Sequence, residues 1–287
     1  MKICFSRKGF DSQYGKMPSP ILPDGRLVPL PIPSDHDACT MKDLFLADVE
    51  LAPLLADLSG GRFSLQSTVH LDPDLYRAPV LRRDGWRPAL GQSGAAQGHL
   101  ARQRFGAGDV FLFFGWFREV ERVASRWRYV RTAPNLHVLF GWLEVDEVLP
   151  VVTDRSGCLR RHPWIADHPH VARPEHYESP LNQLYVAAQV SRYVPTAEFG
   201  GGRFLRYQEA LRLSQPGQSR TIWRLPEWFM PGGDRPPLSY HPIGSRWLRD
   251  EEGVVLRSAA KGQEFVLDGD YYPEAEPWLA SLLKGAV

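Results

Sequence analysis

Short apolar runs separated by turn residues dominate the hydrophobic pattern of this chain. The run Ile3–Phe5 predicts an opening strand that ends in the polar segment Ser6–Asp11. Further along, VFLFFGWF and LHVLFGWLEVDEVLP predict two longer strands, and acidic residues alternate with apolar ones at the end of the second. The pattern therefore predicts a β-rich core around residues 105–152.

Helical periodicity is confined to short segments. We predict helices over residues 35–59, after the glycine-rich turn at Gly91, over residues 185–194 and over residues 273–286. The first is expected to break at Pro53, and Ser93 is the expected N-cap of the second. We therefore expect an α+β fold, compact and mixed, in which helices flank the β-rich core within a single domain over residues 1–287.

Composition narrows the class of protein. Thirty-four basic residues against 33 acidic ones leave almost no net charge, which argues against non-specific coating of duplex DNA. The three cysteines are odd in number and far apart, so we expect neither a disulfide framework nor a thiolate-rich zinc site. With no 18-residue apolar run and no signal-peptide pattern, we expect no membrane association and a cytoplasmic location.

The opening segment concentrates polar chemistry at a strand end. Ser6, Arg7 and Lys8 precede a glycine and Asp11, and a stiff proline-rich stretch follows over residues 18–33. The two cations could hold a phosphate, while Asp11 could act as a base or orient a sugar hydroxyl. The alternative is a solvated turn with an internal ion pair.

A second cluster lies in the sequence HLDPD. On a strand, His70, Asp72 and Asp74 would point to the same face and could bind a metal or act as a general acid and base. Pro73 instead favours a turn, where aspartate is simply a preferred residue. Both interpretations remain open.

The glycine-rich turn GQSGAAQGHL is the third candidate. Free backbone N–H groups at a helix start suit an anion, and nearby neutral side chains could recognise a base. The predicted nucleotide-binding residues here are Gly91, Gln92, Ser93, Gln97 and His99. The stretch matches neither the Walker A nor the dinucleotide pattern, so a plain helix start is the alternative.

A histidine-rich loop and two isolated residues complete the candidates. His162, His168 and His170 lack the spacing of a known metal site, so we predict hydrogen-bonding or surface histidines and no metal site, and the cofactor stays unknown. Trp116 follows a glycine in a predicted strand and could stack on a base, or belong to the core. Glu264 is a candidate catalytic acid at the exposed opening of a strand, where an edge-strand charge would look the same.

Several of these segments resemble known families. The phrase GDVFLFF…LFGWLEV is similar to the core of the PUA-like barrels, which include the EVE and ASCH domains and hold nucleotides or modified bases. Nearly the whole chain, from SRKGFD through HLDPDL, GQSGAAQGHL and HPH to KGQEFVLD, resembles the third of the nucleotide modification associated domain families. That resemblance implies a role linked to modified nucleotides or DNA bases, but carries no set of catalytic residues.

These residues and resemblances lead to two functional hypotheses and a third possibility. In the first, Arg7 and Lys8 hold phosphate, and Asp11, Asp72 or Glu264 carries glycosidase- or transferase-type chemistry on a modified nucleotide or DNA base. In the second, the protein reads a flipped base in a PUA-like pocket without catalysis. The third is a structural subunit of a modification complex. Expected partners are a nucleotide or modified DNA and other proteins of a modification system.

Overall fold

The computed structural model describes residues 1–44, 49–75, 77, 80–259 and 264–286. The strands within these residues are β1 (Lys2–Arg7), β2 (Ser19–Ile21), β3 (Ala89–Gln92), β4 (Val110–Val123), β5 (Arg126–Tyr129), β6 (Leu136–Leu149), β7 (Gln183–Ala187), β8 (Gly201–Arg203), β9 (Ile222–Leu225), β10 (Trp247–Asp250), β11 (Gly253–Arg257) and β12 (Glu264–Asp268). The α-helices are α1 (Leu51–Ser59), α2 (Gly94–Arg102), α3 (Arg155–Arg161), α4 (Pro169–Ala172) and α5 (Ala275–Ala286). Short 3-10 helices lie at Met41–Leu44, Pro163–Asp167, Pro174–His176, Glu209–Leu211, Glu227–Phe229 and Gly269–Tyr271.

Strands β4 and β6 form the centre of a nine-stranded mixed sheet, as the two long apolar runs predict. The strand order is β12-β1-β4-β6-β7-β3, with β2 and β5 paired to β4 and β8 paired to β6. Strand β1 runs parallel to β4 and antiparallel to β12. A separate three-stranded sheet has the order β10-β11-β9. The predicted mixture of helices and strands is therefore confirmed.

The sequence that resembles PUA-like barrels predicts a closed barrel, but over the described residues the large sheet is open. Its terminal strands β12 and β3 share no backbone ladder there. They meet instead through side chains, since Gln92 Nε2 donates a hydrogen bond to Glu264 Oε1 at 2.5 Å. This opening between the two terminal strands lies beside the polar cavity described below.

Part of the main core lies between the two sheets. Phe5 and Phe114, from the adjacent strands β1 and β4, are completely buried against Trp223 of the small sheet, with ring centroids 6.0 and 5.1 Å from its indole. Each such side chain contributes on the order of 1.5–3 kcal/mol by its burial. This packing holds the carboxyl end of β1 in a fixed place.

Two helix predictions need correction. Residues 185–187 of the helix predicted over residues 185–194 lie instead in the buried strand β7, because β6 and β3 pair with β7 on its two sides. A fully buried apolar run of this length has no periodicity that separates strand from helix. Pro53 does not break α1 but lies in its first turn, where the missing N–H has no intrahelical partner. Residues 45–48 of the predicted first helix lie outside the described residues.

Other helix predictions are confirmed. Helix α2 begins directly after Ser93, although the hydroxyl makes no capping hydrogen bond, and α5 occupies the predicted C-terminal segment. Among the described helices, none has the length and apolar character needed to span a membrane.

Candidate functional site

A polar cavity of about 500 Å³ opens where β1 and β3 end. Its wall draws on the segment after β1, the end of β3, the loop that carries HLDPD and the histidine-rich region that includes α4. The lining residues are Arg7, Lys8, Gly9, Asp11, Ser12, Gln13, Tyr14, Ile32, His70, Asp72, Gly91, Gln92, Ser93, His170 and Tyr177. Segments distant in sequence thus meet in one cavity, and each of the four predicted clusters contributes at least one residue to it.

Lys8 and Glu264 form a buried ion pair beside this cavity. The antiparallel register of β1 and β12 places Ser6 opposite Glu264. Lys8 follows two residues later, and its Nζ lies 3.4 Å from Glu264 Oε1. Burial lowers the pKa of Lys8, but the charges of Glu264 and Asp72 outweigh it and raise that pKa above its usual value. Lys8 therefore carries its charge at the cavity wall.

Glu264 itself is only 1% exposed and does not line the cavity, so its expected exposure at a strand opening is wrong. Its carboxylate accepts from Gln92 Nε2 at 2.5 Å and from the thiol of Cys4 at 3.3 Å. Burial, followed by the charge of Glu264, raises the pKa of Cys4 well above its usual value. Glu264 thus contacts two residues that line the cavity, Lys8 and Gln92, without lining the cavity itself.

Asp72 is the buried carboxylate of the cavity. Its Oδ1 accepts the backbone N–H of Gly91 at 2.7 Å and lies 3.5 Å from His168 Nε2. Burial raises the pKa of Asp72, but the His168 contact and the charge of Lys8 outweigh it and hold the pKa well below the usual range. Asp72 is therefore ionised at neutral pH.

His70 and His170 both have their Nε2 atoms on the side of Asp72. His70 Nδ1 donates to Asp37 Oδ2 at 2.9 Å, and His170 Nδ1 donates to Asn182 Oδ1 at 2.8 Å. Their Nε2 atoms lie 3.9 and 4.0 Å from Asp72 Oδ2. Burial lowers the pKa of His170 to about 3, so its imidazole is neutral at physiological pH.

This cluster has a composition suited to a metal ion. One candidate ligand atom each from His70, Asp72 and His170 lies within 4.8 Å of the others. Two imidazole nitrogens and one carboxylate oxygen are ligands that divalent transition metals accept. His70 and His170 come from two separate segments, HLDPD and the histidine-rich loop. Neither segment has metal-site spacing alone, so the sequence gives no signal that they share a centre.

The opening segment contributes unequally to the cavity. Arg7 lines it while donating to the carbonyl of Ala259 at 2.8 Å, and burial lowers the pKa of its guanidinium. Asp11 also lines it, and its Oδ1 accepts the backbone N–H groups of Gln13 and Tyr14 at 2.7 and 2.6 Å. Asp11 therefore shapes the turn as well as facing the cavity. The predicted Ser6 is buried and absent from the described lining.

Gly91, Gln92 and Ser93 of the glycine-rich turn line the cavity, but the predicted Gln97 and His99 lie outside its described lining. Gln97 accepts from the Tyr185 hydroxyl at 2.9 Å, and His99 Nε2 lies 2.9 Å from Ser239 Oγ. Both side chains thus have partners in the surrounding structure.

Trp116 and Asp74 are also directed elsewhere. The indole of Trp116 donates to Asn135 at 2.8 Å and lies beneath the Arg220 guanidinium, 4.3 Å from the ring centroid. Asp74 pairs with Arg82 and accepts from the indole of Trp86 at 3.2 Å. Of the two interpretations of HLDPD, the structure therefore agrees with the turn at this point, since Asp74 lies outside the described cavity lining that His70 and Asp72 share.

Comparison with known proteins agrees with the resemblance noted in the sequence. The family model described as nucleotide modification associated domain 3 matches residues 2–268. No curated protein and no solved structure shows significant similarity to the chain. Since the family match covers nearly the whole chain, including every segment of the cavity, the protein belongs to the nucleotide modification associated domain 3 family.

Proposed function

We propose that the cavity binds a nucleotide carrying a modified base, free or within DNA, and catalyses a change at its glycosidic bond or base substituent. The observation that carries this proposal is the ionised Asp72 held between His70 and His170, beside the charged Lys8, in one polar cavity. The family's association with nucleotide modification points to the substrate class.

The cationic part of the wall suits a phosphate. Lys8 has three N–H donors, and the contact with Glu264 occupies one side of its ammonium group. Arg7 adds a second positive charge from the same segment. A cavity of about 500 Å³ also falls within the range of roughly 300–1,000 Å³ that is typical of small-molecule sites.

The rest of the lining suits a base and sugar. Gln92 and Ser93 offer amide and hydroxyl groups, and the rings of Tyr14 and Tyr177 offer apolar faces. Tyr177 already stacks on His170 with ring centroids 4.1 Å apart, so a base could extend this stack. These contacts would place the substituent or glycosidic bond near Asp72.

We assign the reaction centre to His70, Asp72 and His170, because these buried side chains converge in one cavity and the shifted pKa values of Asp72 and His170 are typical of catalytic sites. Asp11 remains a candidate at the cavity wall. Glu264 is assigned a positioning role, since it acts on the cavity through Lys8 and Gln92.

Mass spectrometry of nucleotides and short DNA duplexes, with and without base substituents, tests this function. The wild-type protein should change the mass of a substituted substrate, whereas Asp72→Asn should lower turnover by at least about 100-fold. Asp84→Asn, which removes an exposed carboxylate outside the cavity lining, should retain wild-type turnover.

Binding to the same panel separates the alternatives. Affinity for a substituted nucleotide without any change of mass would overturn catalysis and favour a reader of modified bases. Absence of both binding and mass change across the panel would overturn the nucleotide site itself. Lys8→Met should weaken binding of the phosphorylated compounds, and the exposed Lys42→Met should not.

A further inference from the structure

We propose that His70, Asp72 and His170 bind one divalent first-row transition-metal ion. The proposal deepens the proposed function and rests on it only for the use of the ion in turnover, since binding of the ion can be measured without a nucleotide. The argument depends on which atoms of the three side chains carry hydrogens.

The hydrogen of His70 is directed away from the cluster. Nδ1 of His70 lies 2.9 Å from a carboxylate oxygen of Asp37, which can only accept, so Nδ1 carries a hydrogen and donates it. Nε2 is then the ring nitrogen that is open to a metal ion, and it lies 3.9 Å from Asp72 Oδ2. The Tyr177 hydroxyl lies 3.2 Å from Nδ1 and 3.5 Å from Nε2, so it is nearer to the nitrogen that faces Asp37.

The orientation of Asn182 assigns the hydrogen of His170 in the same way. Asn182 Nδ2 donates to the carbonyls of His170 and Tyr177, at 3.0 and 3.3 Å, so its Oδ1 is the atom that faces His170 Nδ1 at 2.8 Å. Nδ1 of His170 therefore donates, and Nε2 presents a lone pair 4.0 Å from Asp72 Oδ2.

Asp72 completes a set of three acceptors. The backbone N–H of Gly91 occupies its Oδ1, and His168 Nε2 approaches that same oxygen. His168 Nδ1 accepts the backbone N–H of His170, which leaves Nε2 as the nitrogen on the side of Asp72. Oδ2 is the oxygen that faces the two imidazole lone pairs, and a cation between these three atoms would satisfy all of them.

The ligand set selects the class of ion. Imidazole nitrogen together with carboxylate oxygen suits zinc, iron, cobalt or nickel, whereas magnesium and calcium prefer oxygen ligands alone. Ligand atoms within 4.8 Å of one another reach bonding distances of roughly 2.0–2.2 Å after small side-chain movements. Glu264 balances the nearby charge of Lys8, which reduces its repulsion of a metal cation.

The surroundings have the features of an outer shell around such an ion. A metal-bound histidine usually donates its second ring N–H to a carboxylate or carbonyl, and Asp37 and Asn182 accept in this way here. All three proposed ligands line the cavity, so the remaining coordination positions of the ion would face the substrate. A water molecule or a phosphate oxygen could occupy those positions.

Titration with Co²⁺ alone tests the site. Chelator-treated full-length protein should bind one ion per chain, with the visible absorption of Co²⁺ coordinated by nitrogen and oxygen, and elemental analysis should give the same stoichiometry. His70→Ala and His170→Ala should each weaken binding more than Asp37→Asn, for which roughly a 10–100-fold loss is expected. His162→Ala is the matched control and should bind as the wild type, because His162 pairs with Glu147 outside the described cavity lining.

Substoichiometric binding by the folded wild type, or binding that Asp37→Asn and both histidine variants leave unchanged, would overturn the site. Circular dichroism verifies folding, and Asp37→Asn provides the test if the alanine variants do not fold. Nucleotide binding by the chelated protein is measured separately. A metal site without nucleotide binding would contradict the proposed function alone, and the reverse would contradict the metal site alone.

Discussion

Gly91 and Asp72 are joined by a hydrogen bond of 2.7 Å from the backbone N–H of Gly91 to Asp72 Oδ1. The same glycine lies against the ring of His170, where an added Cβ would come within 2.3 Å of the imidazole. Because Gly91 has no side chain, its backbone can donate to Asp72 while the ring of His170 packs directly against it. Glycine serves here through close approach and not through a left-handed conformation.

Gly91→Ala should consequently damage both the fold and the site. The methyl group would force His170 away from Asp72, and overpacking of this kind costs typically about 1–3 kcal/mol. Urea unfolding measures the loss of stability, and Co²⁺ titration measures the expected loss of affinity.

The matched substitution Gly98→Ala lies within α2, where the nearest atom to an added Cβ is 3.5 Å away. It should leave Co²⁺ affinity unchanged and raise helix stability by up to about 1 kcal/mol. Equal effects of the two substitutions would contradict the role of Gly91.

Lys8 and Glu264 should be strongly coupled, because both side chains are nearly inaccessible to water. Lys8→Met or Glu264→Gln alone removes one charge of the pair, which typically costs about 3–5 kcal/mol. The double variant should be less destabilised than the sum of the two single variants, as measured by urea unfolding.

The surface pair Arg128–Glu121 provides the comparison, since both side chains are substantially exposed. The same double-mutant cycle there should give a coupling of about 1 kcal/mol or less. A similarly small coupling for Lys8 and Glu264 would contradict the interpretation that Glu264 positions the cation.

Aromatic contact with a base should involve Tyr177 and not Trp116. Tyr177→Leu removes a ring that lines the cavity, and loss of a stacked base typically weakens binding by about 1–3 kcal/mol. Trp116→Leu should leave nucleotide affinity unchanged, because that indole packs with Arg220 and Asn135 outside the described lining. Calorimetric titration measures the nucleotide affinity of both variants. Weaker binding by Trp116→Leu, together with unchanged binding by Tyr177→Leu, would show that Trp116 is the residue that stacks on the base.

Local pattern predicts the parts of the site that depend on neighbours in sequence. The apolar run Ile3–Phe5 correctly predicts a strand that delivers Arg7 and Lys8 to the cavity, and the turn at Gly91 correctly predicts the start of α2. Both features follow from conformational preferences of residues that are neighbours in the sequence, so they can be predicted from the sequence alone.

The convergence of segments that are distant in sequence cannot be predicted from such local patterns. His70 and His170 are 100 positions apart, and only the packing of α4 against β3 brings the second histidine over Gly91. Likewise, Glu264 opens a strand whose burial depends on its pairing with β1. The periodicity of either segment alone indicates an exposed edge or a loop as readily as a site.

Folding stability should fall in mild acid through His241, a buried histidine outside the cavity lining. Its Nδ1 donates to the carbonyl of Ser239 at 2.8 Å, and its Nε2 accepts the backbone N–H of Ala259 at 2.9 Å. Burial, with smaller effects from the charges of Arg246 and Arg7, lowers the pKa of His241 from 6.5 to about 4. Protonation in the folded state would also abolish the bond from Ala259.

The stabilising effect of His241 is therefore fully present above pH 6.5, where the ring is neutral in both states. Between that value and about pH 4, the unfolded chain binds a proton that the folded protein does not, which lowers the free energy of unfolding by about 1.4 kcal/mol per pH unit. Urea unfolding at about pH 7.5 and about pH 5 should consequently show roughly 2 kcal/mol more loss in the wild type than in His241→Gln. Comparing the change with pH within each protein cancels the direct cost of the substitution, and other buried histidines contribute equally to both. The same pH dependence in the two proteins would mean that His241 binds its proton as readily in the folded state as in the unfolded one.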